Sequence, residues 1–148
     1  MGVLQGSPLS PILFLYYNAS LLELCNQPKR GLSGIGFADD INLLIYSPST
    51  EANCRKLKRV HKELLTWARH HGMKFAPKKY ELIHFTQCRK FNLRAGIRLE
   101  GEAKTPSPDI RILGVWVDTK LQWSAQLKEA KEKVVSQIGA LVKTTASI

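Results

Sequence analysis

The sequence predicts an α+β domain in which a small antiparallel sheet packs on helices and is followed by a basic C-terminal helix. Segments with apolar residues at helical spacing occur near the start, the middle and the end of the chain, and short apolar and β-branched runs lie between them. Short turns separate several of these runs, as in antiparallel hairpins. With 148 residues, 44% of them hydrophobic, the chain has the size and composition of one domain with its own core.

The charge balance indicates a polyanionic partner. The chain has 22 Lys and Arg against 12 Asp and Glu, a formal net charge of +10, which is typical of proteins that bind nucleic acid. A well-solvated basic surface explains the same charge equally well. The 3 cysteines lack C-x-x-C spacing, so they favour neither a disulfide framework nor a zinc site and fit a reducing intracellular compartment, cytoplasmic or nuclear. No apolar run approaches the roughly 20 residues that span a bilayer, so no membrane partner is expected.

The opening stretch GVLQGSPLSPILF is the first element of the chain. It lacks the basic residues and the small-residue cleavage site of a signal peptide, and Pro8 and Pro11 interrupt it. We therefore interpret it as a loop that leads into a helix. Ser10 and Pro11 are a suitable N-cap and first-turn pair, and residues 12–24 are predicted to form a mostly buried helix that ends before Pro28.

An acidic hairpin is predicted next. Residues 31–37 and 41–46 are apolar runs separated only by Ala38, Asp39 and Asp40. Adjacent aspartates at a turn are commonly just solvated turn residues. The apolarity of both strands instead favours a hairpin inside the fold, with its acidic tip facing something positive. A divalent metal such as Mg²⁺ is the chemical candidate, and holding two ions would require another carboxylate from elsewhere.

The middle of the chain predicts an amphipathic, basic helix over residues 51–71. Lys and Arg occupy the other faces, and Gly72 is the expected stop. The apolar positions at helical spacing are Leu57, Val60, Leu64 and Ala68.

The last part of the chain predicts strands and a final helix. Residues 74–85 are interpreted as two short strands around a Pro-Lys-Lys turn, and residues 97–99 and 110–118 supply further strands. The final helix begins near Ser124, with basic residues outside its apolar side. That apolar side consists of Leu127, Ala130, Val134, Ile138 and Leu141.

The order of these motifs resembles the palm of a reverse transcriptase. The motifs are a QGSPLSP loop running into a helix, a FADD hairpin, a basic helix, a turn carrying lysines, and LGVWVD before a final helix. The resemblance is to the non-LTR retrotransposon kind and covers nearly the whole chain. It implies a partial palm over residues 1–118, and the start of the thumb or a connector helix over residues 119–148. The implied activity is RNA-directed DNA polymerisation.

The resemblance implies roles for two groups of residues near the start of the chain. Gln5, Gly6 and Ser7 match a loop that lies beside the incoming nucleotide and the template, where glycine lets the backbone approach a base pair closely. Asp39 is implied as the catalytic metal ligand of the hairpin, with Asp40 as its weaker neighbour. The implied cofactor is Mg²⁺, with two ions in the intact parent. The implied partners are an RNA template, a DNA primer, deoxynucleoside triphosphates and the rest of a parent polyprotein.

Two further positions gain implied roles. Lys79 occupies the place of a family lysine near the triphosphate, where a cation could neutralise charge on the leaving pyrophosphate, although Lys78 competes for the role. Leu113 and Gly114 lie in the LGVWVD segment, which matches the turn that grips the primer end. Alternatively, Leu113 and the alternate residues after it form one face of a strand.

Two departures qualify the resemblance. Leu4 stands where the family usually has proline, which leaves Gln-Gly-Ser intact. The family takes another metal-binding aspartate, and its fingers, from segments before the opening loop, and this sequence starts after both. We therefore expect a piece of something larger that is inactive alone.

The sequence leaves two alternative functions. The first is a non-catalytic basic module that binds RNA or DNA, the remnant of a decayed element. The second, the palm of an RNA-templated RNA polymerase, is disfavoured because that kind commonly has glycine where Ala38 stands.

Overall fold

The chain folds into two packing units built from helices and β-hairpins. A computed structural model describes residues 6–88 and 90–145, with side chains of the last helix described as far as residue 138. The first unit contains the residues up to Tyr80 together with 92–105, and the second contains 81–91 and the residues from Pro106 onwards. The α+β class and the antiparallel pairing are confirmed. The expectation of one sheet is wrong, because the described strands form three separate two-stranded sheets.

The first unit begins with helix α1, Ser10–Cys25. Ser10 is its first helical residue and not the predicted N-cap, which is Leu9 and makes no side-chain cap hydrogen bond. Only one side of α1 contacts the rest of the described unit, so the prediction of a mostly buried helix is wrong. Its most exposed apolar residues are Ile12, Leu13, Leu15 and Tyr16.

A β-hairpin packs on α1. Strand β1, Leu32–Phe37, pairs antiparallel with strand β2, Asp40–Ile45, and the last pair places Phe37 opposite Asp40. Because cross-strand partners share a face and neighbours alternate, the hairpin has two distinct faces. The core face carries Leu32, Ile41, Leu43 and Ile45. The outer face carries Ser33, Ile35, Phe37, Asp40, Asn42 and Leu44.

Two glycines bring β1 close to α1. A Cβ on Gly34 would lie 2.3 Å from the Cβ of Cys25, and a Cβ on Gly36 would lie 2.6 Å from a methyl group of Leu22. Backbone at the first position blocks any simple relief of this overlap. The close approach of the hairpin to α1 therefore depends on glycine in β1.

Helix α2, Thr50–His70, completes the core of the first unit. The Ser49 side chain caps it by accepting a hydrogen bond from the Ala52 N–H, and Gly72, with φ +67°, adopts a left-handed conformation just after its end. The helix predicted over residues 51–71 is thus confirmed. The core of this unit is formed by Leu21, Cys25, Leu32, Val60, Leu64, Trp67 and Ala68.

The segment after α2 differs from the prediction. Residues 74–85 contain a short 3-10 helix, Pro77–Lys79, and no strand where two were expected. Proline has no N–H for a strand ladder, and the turn instead closes through the Lys79 N–H to the Ala76 carbonyl oxygen at 2.9 Å. The predicted strand at Ile97–Leu99, now β3, is confirmed, and it pairs with an unpredicted strand β4, Glu102–Lys104.

The second unit joins a hairpin to the last helix. Strands β5, Asp109–Ile112, and β6, Val115–Asp118, pair across a two-residue turn, and helix α3, Ser124–Thr145, packs on β6. The Asp118 carboxylate organises the connection, since it accepts hydrogen bonds from the backbone N–H groups of Lys120, Gln122 and Ser124.

Helix α3 begins where the sequence predicts. Three residues of its predicted apolar side, Leu127, Val134 and Ile138, are more than half exposed, and the Leu141 side chain lies outside the described residues. Nothing in the packing tests the predicted functional boundary between residues 118 and 119. None of the helices in the described part of the chain combines the length and apolarity needed to cross a membrane.

Candidate active site

The acidic turn of the first hairpin is the strongest candidate for a catalytic group. Ala38 and Asp39 form its two-residue turn, and Asp40 is the first residue of β2 and not part of the turn as predicted. Ala38 has φ +49°, the left-handed conformation that tight two-residue hairpins demand. The turn therefore fixes two consecutive carboxylates at the end of the hairpin.

Both carboxylates are exposed and uncompensated. Within the described residues, neither Asp39 nor Asp40 has a side-chain hydrogen bond or an ion pair. This position contradicts the expectation of a hairpin inside the fold, because Ile35 and Phe37 beside the tip are 61% and 62% exposed. The reason is that α1 and α2 cover only the core face of the hairpin.

The donor set of the turn suits a hard divalent cation. Adjacent carboxylates repel each other, and Mg²⁺ prefers oxygen ligands from one or two carboxylates together with substrate phosphates. The described residues contain no group of three or more His, Cys, Asp or Glu that could hold a metal ion. Asp39 and Asp40 therefore fit as part of a coordination sphere, and the remaining ligands would come from substrate or from another segment.

The opening loop is only partly visible. Gln5 lies outside the described residues, while Gly6 has φ +89°, a conformation that favours glycine, and open space where a Cβ would stand. The Ser7 side chain accepts a hydrogen bond from the Leu9 N–H at 3.4 Å, and the Ser7 carbonyl oxygen accepts one from the Ser10 N–H at 3.1 Å. Ser7 thus shapes the entry to α1, the task that the sequence assigned to Ser10.

Lys79 lies at the end of the 3-10 helix beside its competitor Lys78. Both side chains are exposed, and neither forms an ion pair among the described residues. Only the backbone distinguishes them, since the Lys78 carbonyl oxygen accepts a hydrogen bond from the Lys104 ammonium group at 2.9 Å. The geometry therefore does not choose between the two lysines.

A partly buried polar contact that sequence reasoning missed anchors this lysine segment. The Tyr80 hydroxyl lies 3.1 Å from Nε2 of His61 and donates a hydrogen bond to Oε1 of Glu100 at 3.2 Å. Nε2 of His61 also lies 3.3 Å from the same Glu100 oxygen. The position of His61 on the apolar side of α2 was a sequence signal that it would be buried and would need a polar partner.

The pKa values of His61 and Tyr80 are shifted in opposite directions. Burial lowers the pKa of His61, while the Glu100 carboxylate opposes that shift. Burial, followed by the Glu100 charge and hydrogen bond, raises the pKa of Tyr80. At neutral pH the cluster therefore holds a neutral imidazole and a neutral phenol beside the Glu100 side chain. It positions the lysine segment and adds no positive charge to it.

Leu113 and Gly114 form the two-residue turn between β5 and β6. Their φ values are +50° and +87°, and the Leu113 side chain is 51% exposed. The alternative interpretation of Leu113 as part of one strand face is wrong, because it lies in the turn. The second unit holds both residues, whereas the first holds the acidic turn.

The structure does not link the predicted site residues to one another directly. In the part of the chain that is described, no hydrogen bond or ion pair joins any two of Gly6, Ser7, Asp39, Asp40 and Lys79. Each instead has a defined local conformation, and the roles expected of them stay predictions.

Comparison with known proteins places the chain in a family. The family model for reverse transcriptase (RNA-dependent DNA polymerase) matches residues 1–117. The chain is 28% identical over 144 residues to a probable RNA-directed DNA polymerase from transposon BS of Drosophila melanogaster, a match that covers 95% of this chain and 16% of that relative. The chain thus spans about a sixth of that protein's length. No solved structure matches it. Since the family model covers most of the chain, the resemblance inferred from its motifs is confirmed: this chain belongs to the reverse transcriptase family.

Proposed function

We propose that this chain forms part of the palm of a non-LTR retrotransposon reverse transcriptase, a nucleotidyltransferase that adds deoxynucleotides to a DNA primer on an RNA template. The single observation that carries the proposal is the exposed, uncompensated Asp39–Asp40 pair at a tight hairpin turn in a chain of this family. In this proposal residues 1–118 belong to the palm and residues 119–148 begin the thumb or a connector helix.

The acidic turn would hold divalent cations for phosphoryl transfer. Asp39 would be the main ligand and Asp40 its weaker neighbour, together with a carboxylate from outside these 148 residues. Divalent cations held by these carboxylates would supply electrostatic stabilisation for an in-line phosphoryl transfer. The two-residue turn fixes the carboxylates on a rigid hairpin, so they need little reorganisation when cations bind.

The other predicted residues would contact substrates. Gln5, Gly6 and Ser7 would lie beside the template and the incoming nucleotide, and Lys79 would offset charge on the leaving pyrophosphate. The turn formed by Leu113 and Gly114 would contact the primer end. The surrounding protein would be the rest of a parent polyprotein, and the setting would be cytoplasmic or nuclear.

Primer extension tests the proposal. The 148-residue chain, incubated with an annealed RNA template and DNA primer, deoxynucleotides and Mg²⁺, should show no extension above background, because two carboxylates are too few to hold two cations against their repulsion. A chain extended upstream to include the family's other metal-binding aspartate should extend the primer. Extension by the short chain, or no extension by a folded longer chain, would contradict the proposal.

The alternative function is a non-catalytic module that binds nucleic acid. The observation in its favour is the basic side of α2, whose cations face solvent. Under this alternative the chain extended upstream would bind the primer and template but would not extend them, so the same assay separates the two functions.

A further inference from the structure

The outward side of α2 carries a row of cations. Side chains three, four or seven residues apart share one side of an α-helix, and this side is opposite the buried apolar residues. At 1.5 Å per residue the row extends over about 21 Å. All five cations are exposed. The basic row consists of Arg55, Lys58, Arg59, Lys62 and Arg69.

The fold does not use the charges of the basic row. None of its members forms an ion pair among the described residues. Glu63, which lies close enough to Arg59 to be affected by its charge, is itself paired with Arg30 at 2.9 Å. The Lys56 ammonium group, by contrast, donates a hydrogen bond to the Gly31 carbonyl oxygen at 3.0 Å and so serves the fold.

The basic row places like charges next to one another on one side of the helix. Like charges three and four residues apart on a helix repel each other, and several such pairs follow one another here. The buried side of α2 needs none of these charges for its packing. A bound polyanion would remove the repulsion, so the pattern fits a surface that becomes stable when occupied.

We propose that the basic row binds the sugar-phosphate backbone of a nucleic-acid duplex. Single strands are typically held by aromatic side chains that stack on bases, whereas the one Phe, Tyr or Trp between Arg55 and Arg69 in the sequence, Trp67, is buried in the core. A membrane-surface helix would need large apolar side chains at the solvent boundary, whereas Leu64 and Trp67 of α2 are buried in the core. Regularly spaced cations without either feature match the regular phosphates of a duplex.

This contact is additional to any contact at the acidic turn. The apolar side of α2 packs toward the core face of the β1–β2 hairpin, and Asp40 lies on the outer face. The basic row and Asp40 therefore point away from each other. The proposal goes beyond polymerisation, because duplex binding by α2 requires neither the acidic turn nor a divalent cation.

Fluorescence anisotropy with a labelled duplex in a salt series tests the proposal on the 148-residue chain. The variant Lys58→Ala/Arg59→Ala/Lys62→Ala should bind at least tenfold more weakly at low salt. Its slope of log affinity against log salt should fall by roughly 0.9 for each removed cation that contacts a phosphate. The matched control Lys29→Ala/Lys74→Ala/Arg98→Ala removes the same charge from exposed positions outside α2, and its slope should change by less than half as much.

Three outcomes would overturn the proposal. Equal losses in both triple variants would show that only the overall charge matters. Tighter binding to single-stranded RNA than to the duplex would reject the duplex as the partner. If the triple variant of the basic row lost binding to phosphatidylserine vesicles but kept its duplex affinity, the row would be assigned to a membrane surface. The binding assay contains neither Mg²⁺ nor deoxynucleotides, so a failure of the polymerase proposal would not change its result. The exposed single substitution Lys62→Ala repeats the test should the triple variant not fold.

Discussion

The two faces of the β1–β2 hairpin differ in what covers them. On the core face, Leu32 is 0% exposed, and Leu43 and Ile45 pack against the cluster that α1 and α2 complete. On the outer face, Ile35 and Phe37 are mostly exposed, and Asp40 lies beside them. One hairpin thus has a covered face and an open face.

The core face should therefore determine how stable the hairpin is, and the outer face should determine what the acidic turn can bind. Burial of apolar surface is the main favourable term in folding, so the core face couples the hairpin to the rest of the first unit. The outer face contributes little packing within the described chain, and its acidic end is free to meet cations or substrate. Substitutions on the two faces should therefore change different measured quantities.

The largest effect is expected at the acidic turn. In a full-length reverse transcriptase that contains this sequence, Asp39→Asn should lower primer extension more than tenfold, because the amide keeps the shape of the carboxylate but loses the charge that holds a divalent cation. The melting temperature should hardly change, since Asp39 is exposed and has no side-chain partner among the described residues. Extension on an RNA template and thermal unfolding measure the two effects.

A neutral control is available on the last helix. Glu132→Gln removes one exposed carboxylate from α3 and should leave both primer extension and the melting temperature unchanged. Asp40→Asn should reduce extension by less than Asp39→Asn does. Retention of more than a tenth of the rate by Asp39→Asn would argue against this residue as a metal ligand.

The next effect compares two leucines of the same hairpin. Leu32→Ala on the core face should lower the free energy of unfolding by about 2–5 kcal/mol, as is typical for emptying a fully buried site. Leu44→Ala on the outer face, where the side chain is 50% exposed, should cost less than about 1 kcal/mol. Urea denaturation of the 148-residue chain measures both. Equal losses of unfolding free energy in the two variants would mean that the outer face is covered in solution.

A smaller effect is expected on self-association. Each of the three described sheets has two strands, so β1 has an edge that no described strand covers beyond the single bridge between Gln27 and Leu32. Exposed strand edges promote pairing between molecules. An open groove of about 490 Å³ lies beside that edge, between α1 and β1. The chain should therefore associate as its concentration rises, and Ile35→Lys/Phe37→Lys should shift it toward the monomer in sedimentation experiments.

An upstream extension provides the matched comparison. The family resemblance implies that another strand lies beside this hairpin, so a chain that includes it should be more monomeric and melt at a higher temperature. If the short chain is monomeric and melts as cooperatively and as high as the longer one, its outer face and edge need no further partner.

The sequence predicts elements well where local signals are complete. For α2, the apolar spacing and the glycine after it agree, and both ends are close to the prediction. For α1, apolar residues on all sides predict burial but cannot identify what would cover each side. In residues 74–85, a short apolar alternation predicts strands, but Pro77 and its neighbouring lysines form a 3-10 turn.

In the candidate site, too, only the features encoded by neighbouring residues could be predicted from the sequence. Asp39 and Asp40 are predictable because a hairpin turn is encoded by a few adjacent residues. The contact of His61, Tyr80 and Glu100 is not, because it joins a helix, a loop and a turn between β3 and an unpredicted strand. Such contacts depend on how elements pack, which a single sequence does not specify through spacing alone.

The smallest effect is expected on the pH dependence of stability. It comes from the contact of His61 with Tyr80 and Glu100, on the covered side of the first unit. Because the pKa of His61 is lowered in the folded chain, the unfolded chain binds this proton more readily, and the associated stability is present above the ordinary histidine pKa of 6.5. It should be lost as pH falls through the lower folded pKa. Four carboxyl groups have lowered pKa values, and each titrates below its ordinary value of 4.5 or 3.8, so they do not contribute near pH 6. They are Glu51, Glu63, Asp118 and Glu129. Melting temperatures of the chain should therefore decline from neutral to mildly acidic pH, and the decline should be weaker in His61→Gln but unchanged in the exposed-site control His70→Gln. A profile that is the same in all three proteins would mean that His61 is not held in its neutral form.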